Sequence, residues 1–337
     1  MSWQWSVSGS RSDERGSCAD EMWCAAVEGL LRGGLRVESR AGGTVERLGY
    51  VGRLLDVRRN LLWNVGRMAS PIYAAAEMLW YLSGDKRGDA MVAYAPQYER
   101  FLDGDGVAWG AYGSRWAEWD QLRAVVGVLS SGTTRQAVVS CWEPRDLARA
   151  ADRDCKDIPC TVALQFLLRS GALNCVCTMR SNDVWLGMPY DVFCFTTLQK
   201  LIADAIGAEY GWYQHQVGSL HLYDRDLARA EQALAVAPPP EAAIGPLFDF
   251  GKALPQCASD GDWGAAGERI QFAVSAERFQ RANGESALAA DDECDWLMQC
   301  VALTGMQHGA APPSWLDSRL LSRAREVLEL QRRRSRA

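Results

Sequence analysis

What this chain lacks narrows the field first. No window holds about 18 uninterrupted apolar residues, the length a membrane-crossing helix needs, so no spanning segment is expected. The opening MSWQWSVSGSRSDERGSC has no long apolar core of the kind a signal peptide carries; residues 1–18 are expected to form a polar, flexible leader. Neither G-x-G-x-x-G nor G-K-[ST] occurs, so a Rossmann or P-loop site has no support. Positive charge is not in excess. The formal net charge of -6 argues against coating nucleic acid by bulk electrostatics, and any anion site has to be local, built from a few Arg in a cleft. Histidine is scarce (His215, His221 and His308), and no C-x-x-C occurs. Cys155, Cys160, Cys175 and Cys177 cluster in sequence, but buried apolar thiols are the commoner meaning of such a pattern, and no metal is expected.

What is present points to a reduced, soluble globular protein. The 11 Cys are an odd number in a chain without an export signal, which fits free thiols and a cytoplasmic location. Helical periodicity runs over 19–32, over 70–83 between Ser70-Pro71 and Gly84, and over 191–206. Strand patterns cover 136–142, 162–168, 173–180 and the stretch WYQHQVGSLHLY. A looser region spans 85–116, a stiff connector APPPEAAIGP spans 237–246, and 317–337 reads as a basic amphipathic helix on the surface. Helices, then strands, then a helix, a strand and more helices make an α+β order. No internal repeat is visible, and 19–337 is read as a single domain with a divergent helical region from about 240 onward.

The chemistry concentrates in DIPCTVALQFLLRSGALNCVCTMRSNDVWLGMPYD, residues 157–191. Cys160 follows a Pro at a strand start, where a thiol can face a cleft. Attack needs the thiolate, so a neighbouring cation such as Arg is required. Arg180 offers a planar fork suited to phosphate oxygens and Ser181 a short donor. Asp183 and Asp191 flank a turn in which Gly187 lets a ligand ring approach the backbone. In GSLHLY, His221 and Tyr223 share one strand face, where both can bond a sugar hydroxyl.

Taken together, these residues resemble the thymidylate synthase superfamily. The matching motifs are Pro159-Cys160, Gln165-Phe166, Arg180-Ser181-x-Asp183-x-x-Leu186-Gly187-x-Pro189 and Gly218-x-x-His221-x-Tyr223. Upstream, AEMLWYLSGD is similar to the helix that bears the family's catalytic Glu, AYGSRW to its Tyr-Gly-x-x-Trp turn, and RQAVVSCWEPRDL to its interface strand. The resemblance covers about 30–235. It implies a thymidylate synthase-like α+β fold, with a large mixed β-sheet at a homodimer interface and flanking helices. It further implies that Cys160 adds to C6 of a pyrimidine nucleoside monophosphate, and that C5 then takes the one-carbon unit of 5,10-methylenetetrahydrofolate. Arg180, Ser181, Arg40 in a loop one residue shorter than usual, and Arg135 of the partner subunit would bind phosphate. Glu77 would be the general acid/base acting through water, and His221 and Tyr223 would hold the sugar 3'-hydroxyl. Trp80, Asp183 and Gly187 would lie on the folate side, with Tyr112 near the site.

Three departures from the methylating enzymes shape the expected activity. The residue that reads the base is Asn in those enzymes and Asp191 here, as in the deoxycytidylate hydroxymethylase branch. A carboxyl can accept from the cytosine amine and share a proton with N3, stabilising the C6 adduct; the plainer alternative is a helix cap. Thr161 replaces the His that follows the nucleophile, and Gln136 replaces the second Arg of an Arg-Arg pair. The chain's last residues, ELQRRRSRA, lack the apolar segment that closes over folate, which favours water over hydride as the final acceptor. The expected reaction is 5-hydroxymethylation of dCMP or CMP, with Ser181 favouring the deoxynucleotide and the sugar left open. Reductive methylation, or a non-catalytic nucleotide- or RNA-binding member of the family, are the alternatives.

Overall fold

A computed structural model describes residues 14–39, 41–152, 154–237, 264–289 and 295–336. The first elements are β1 (Glu14–Gly16), α1 (Ala19–Gly33), β2 (Leu35–Ser39), β3 (Gly42–Leu54), α2 (Pro71–Ser83) and α3 (Asp89–Val92). After these come α4 (Tyr112–Ala117), α5 (Gln121–Ser130), β4 (Val138–Ser140), α6 (Pro144–Ala151), β5 (Thr161–Arg169) and β6 (Ala172–Asp183). Then follow α7 (Met188–Ala205), β7 (Glu209–Tyr223), α8 (Leu227–Ala235), α9 (Gly264–Asn283), α10 (Trp296–Gln307) and α11 (Ser318–Arg336). The end of the expected leader is built into the fold: β1 pairs with β3, and Cys18 is buried as the residue before α1. The connector expected over 237–246 lies, apart from Ala237, outside the described residues.

Among the described residues the strands form one mixed seven-stranded sheet in the order β1-β3-β7-β6-β5-β4, with β2 on the β3 edge. β6 and β7 run parallel because α7 crosses between them, while β3–β7, β5–β6 and β4–β5 are antiparallel. This is the mixed, helix-flanked sheet of a thymidylate synthase-like fold.

Two helices lie in the core. Ser70 caps α2 by accepting from the Tyr73 amide (3.1 Å), Pro71 occupies its first turn, and Gly84 ends it in the left-handed conformation. From Ala74 to Tyr81 every residue is buried, and α7 is buried from Asp191 to Ala205. A helix apolar on all sides belongs inside a protein. A carboxylate on such a helix, as at Glu77, has to be compensated or functional.

A line of irregularities crosses the sheet. On β7 the buried positions are Tyr213, His215 and Val217, then Leu220 and Leu222, so the alternation slips by one at Gly218. β6 slips in the same way at Arg180, β3 at Gly49 (φ +64°), and β5 between Thr161 and Ala163. A one-residue slip sends every later side chain to the opposite face, and such bulges gather next to active sites. Here Asn182 reaches the helix-covered face that His215 already occupies, and Cys160 and Arg180 stand at the kink itself.

Candidate active site

Cys160 lies just before β5 and is half-buried. Its carbonyl accepts the Arg180 backbone N–H (2.8 Å). The Arg180 side chain lies along the loop in front of the thiol, with Nε donating to the Pro159 carbonyl (2.8 Å) and Nη2 to the Ile158 carbonyl (2.9 Å). The guanidinium therefore both shapes the Pro-Cys turn and sets a positive charge beside the sulfur. Burial outweighs it: the thiol is pushed up to about 11, with Arg180 opposing and the charges of Asp191, Asp157 and Asp183 adding to the rise. At pH 7 such a thiol, raised from the ordinary value of 9.0, carries roughly 100-fold less thiolate than an unperturbed cysteine. Iodoacetamide should therefore label Cys160 slowly at pH 7 and progressively faster toward pH 11, followed by peptide mass spectrometry. Rapid labelling at pH 7 would contradict this environment.

Glu77 and Asp191 face the same buried space from α2 and α7. Tyr73 Oη donates to Glu77 Oε1 (3.2 Å), Cys194 Sγ to Oε2 (3.7 Å), and Tyr81 adds a further hydrogen bond. Burial, reinforced by the Asp191 charge, still raises Glu77 to about 8. Asp191 rises to about 7 for the same first reason, with the Asn182 amide opposing and Asp183 adding. Both carboxyls therefore exchange protons near neutrality, as general acid/base catalysis requires. Asp191 is not a helix cap: α7 starts three residues earlier, after Gly187, and its carboxyl turns to the sheet, where Asn182 Nδ2 donates to Oδ2 (2.8 Å).

Behind Asn182 stands a buried polar chain that the sequence patterns do not reveal. Asn182 Oδ1 is 2.9 Å from His215 Nε2, and His215 Nδ1 is 2.7 Å from Tyr213 Oη, which also bonds Cys177. Burial lowers His215 to about 3 and keeps it neutral. Gly187 makes room for this arrangement: a Cβ there would stand 2.9 Å from Asn182 Nδ2 and 3.2 Å from Asp191 Oδ2.

The remaining expected residues divide into those near the cleft and those elsewhere. Ser181 Oγ is 3.4 Å from His221 Nδ1, and the His221 and Tyr223 rings meet edge to face at 5.2 Å; all three are half-buried. Asp183 Oδ1 accepts the Trp185 and Leu186 amides (2.8 and 3.1 Å), and burial raises its pKa. Tyr112 is buried; burial raises its phenol, and the charges of Asp191 and Cys160 add to the rise. Its turn is pinned by the buried Arg115, paired with Asp146 (2.7 Å) and Glu143 (2.9 Å). Trp80 is buried, its indole donating to the Arg87 carbonyl (3.1 Å). Tyr98, packed edge-on against Trp80, and Tyr81, tilted against it, both feel the charges of Glu77 and Asp191. Arg135 is exposed just ahead of the edge strand β4, its carbonyl accepting from Gln165 Nε2 (2.9 Å). Arg40 lies outside the described residues.

Among the described residues no group of three or more His, Cys, Asp or Glu is placed to hold a metal ion, and no helix is long and apolar enough to cross a membrane. A half-buried thiol beside a guanidinium, two carboxyls titrating near neutrality and a Ser-His-Tyr rim together suit covalent or acid/base chemistry on an anionic ligand. A family model described as Thymidylate synthase matches residues 30–245, well over half of the chain and a span that contains every residue of this site.

Proposed function

The chain belongs to the thymidylate synthase family, whose members transfer a one-carbon unit from folate to a pyrimidine nucleotide and typically act as homodimers, and from that premise we propose that it hydroxymethylates C5 of a cytidine monophosphate, dCMP or CMP. The observation that carries this reading is a base-side carboxyl, Asp191, poised at about 7. Cytosine offers an acceptor at N3 and a donor amine at C4, and a carboxyl sharing one proton with N3 meets both.

Cys160 Sγ gives up its proton to solvent as the nucleotide arrives and forms the bond to C6. The negative charge this sends into the ring is met by the proton between Asp191 and N3, which favours the adduct over the free base. Arg180 and Ser181, with Arg40 and Arg135 of the partner subunit, hold the phosphate, and His221 and Tyr223 hold the sugar hydroxyl. When bound, 5,10-methylenetetrahydrofolate supplies the one-carbon unit. Asp183 suits its N–H donors: both turn amides go to Oδ1, leaving Oδ2 toward the ligand among the described contacts. Trp80 and Gly187 belong to the same side. Glu77, held by Tyr73, Tyr81 and Cys194, orients the water that ends the reaction and takes its proton. C5 gives up its proton to solvent as the transferred carbon parts from tetrahydrofolate, and water adds to that carbon. The product, the 5-hydroxymethyl nucleotide, is released when Cys160 leaves C6 and the C5–C6 double bond returns. The chain acts as a cytoplasmic homodimer across its sheet, and 19–337 functions as one unit with its C-terminal helices on α2.

The test is incubation with dCMP, CMP or dUMP plus methylenetetrahydrofolate, read by mass spectrometry. A 5-hydroxymethyl cytidylate with tetrahydrofolate supports the proposal; turnover of dUMP alone with dihydrofolate overturns it. Turnover of cytidylate should fall above about pH 7 as the Asp191 proton is lost. Asp191→Asn should remove that limb, leaving the one set by Glu77, and cut the preference for cytosine over uracil by roughly 10- to 100-fold.

A further inference from the structure

A carboxylic acid can read either pyrimidine. With the proton on one oxygen it donates to cytosine N3 and accepts from the amine. With the proton on the other it accepts from uracil N3–H and donates to O4. Asp191 alone therefore does not choose between the bases; its choice depends on which oxygen carries the proton. We propose that Asn182, locked by His215 and Tyr213, is a specificity-determining positioning residue that keeps the Asp191 proton on Oδ1 and so selects cytosine over uracil. The inference rests on the reading of Asp191 as the base-contacting residue.

The direction of the chain supplies the choice. With Asn182 Nδ2 donating to Asp191 Oδ2, its Oδ1 faces His215 Nε2, an arrangement that calls for the Nε2–H tautomer and for a hydrogen bond from Tyr213 Oη to Nδ1. Oδ2 becomes the carbonyl oxygen of the neutral acid, and Oδ1 the hydroxyl. Reversing the amide would place its oxygen on Oδ2, call the proton there and produce the uracil-complementary form. Reversal would require the neutral imidazole to move its proton to Nδ1 and the Tyr213 hydroxyl to turn its own proton away at the same time. The sheet kink makes the device possible by bringing His215 and Asn182 to one face, and Gly187 leaves the amide the space it occupies.

Other groups facing Asp191 act on its charge but not on the placement of its proton. These are Glu77 and Tyr81 on α2, Asp183 in the turn, Cys160 ahead of β5, Tyr98 and Tyr112. The thiols of Cys177 and Cys194 and the phenol of Tyr213 complete the set.

The test compares kcat/KM for dCMP and dUMP in Asn182→Ala, His215→Phe, His215→Gln and Asp191→Asn. Asn182→Ala and His215→Phe should each lower the dCMP-to-dUMP ratio by about 10-fold, the loss of one buried hydrogen bond that fixes the neutral acid. Asn182→Ala should also move the alkaline limb for dCMP upward by about one pH unit, a change that loosened packing alone would not produce. His215→Gln, which keeps a donor toward Asn182 and an acceptor toward Tyr213, should retain the ratio; a Gln variant that behaves like Phe contradicts the proposal. If Asp191→Asn changes the ratio while folded Asn182→Ala and His215→Phe do not, the relay is refuted and the base-reading role survives. If Asp191→Asn leaves the ratio unchanged, the base-reading role itself fails. Should the variants not fold, nitrogen-15 NMR of the wild-type imidazoles decides, with three His to assign. A neutral Nε2–H tautomer at His215 supports the relay, and an Nδ1–H tautomer overturns it.

Discussion

Cys160→Ser should abolish one-carbon transfer, lowering kcat/KM by at least about a thousandfold, while leaving the fold and nucleotide binding intact. The thiol is half-buried, and the hydrogen bonds at this turn run through the Cys160, Pro159 and Ile158 carbonyls to Arg180 rather than through the sulfur. A hydroxyl fits the space without disturbing that loop, but its oxygen is far less nucleophilic. Steady-state kinetics and calorimetric titration of the nucleotide on the same preparation separate the two effects. Undiminished turnover would assign the chemistry elsewhere, and lost binding with lost turnover would make the thiol a structural group. The high position of the free thiol, about 11, adds a condition: the sulfur has to give up its proton as the nucleotide arrives. Attack is then confined to a filled site, which protects the thiol from side reactions between turnovers.

Glu77→Gln should have opposite effects on activity and stability. Turnover should fall by roughly 100- to 10,000-fold, the usual contribution of a positioned acid/base group. Stability should rise at alkaline pH. Burial holds the Glu77 carboxyl at about 8, above its ordinary value of 4.5, so the folded state binds the proton more tightly than the unfolded chain. The folded protein accordingly loses stability as pH rises from about 4.5, and the loss levels off above about 8. An amide has nothing to ionise. The variant's thermal midpoint should exceed that of the wild type at pH 8.5, by about 2–4 °C for each kcal/mol relieved, and the gap should close toward pH 4.5. Scanning calorimetry at the two pH values measures this. A Gln variant less stable than wild type at pH 8.5 would mean that the tyrosine hydrogen bonds outweigh burial.

The parts of this architecture written in local pattern are the parts the sequence shows. α2 announces itself with Ser70-Pro71 at one end and Gly84 at the other, and the Cys160 and Arg180-Ser181 motifs show as short runs of residue types beside strands that are legible up to the kink. β3 is hidden because GGTVERLGYVGRL spends four glycines in thirteen residues and slips its own alternation at Gly49. The tail helix α11 is visible from its amphipathic pattern, but not its docking, where Arg323 donates to the Trp63 carbonyl (2.6 Å). The relay is invisible for a different reason. Asn182 sits unremarked between Ser181 and Asp183, and His215 is one polar residue in a strand 33 positions away; only the slip in both strands brings them to 2.9 Å. Non-local register decides that contact, and no local pattern encodes it. The signal available in the sequence was the rarity of histidine: two of only three lie on β7, and His215 shares its strand face with Tyr213 and Val217, where a buried polar group demands a partner.

Mass spectrometry of a trapped complex tests the central claim most directly. A nucleotide with fluorine at C5 cannot lose a proton there, so once the one-carbon unit has joined C5 the enzyme is held at the covalent stage. Wild-type protein incubated with 5-fluoro-dCMP and methylenetetrahydrofolate should gain the combined mass, located after digestion on the peptide that contains Cys160 and absent from Cys160→Ser. Turnover of dCMP with no such adduct, or an adduct on a different cysteine, would contradict the account.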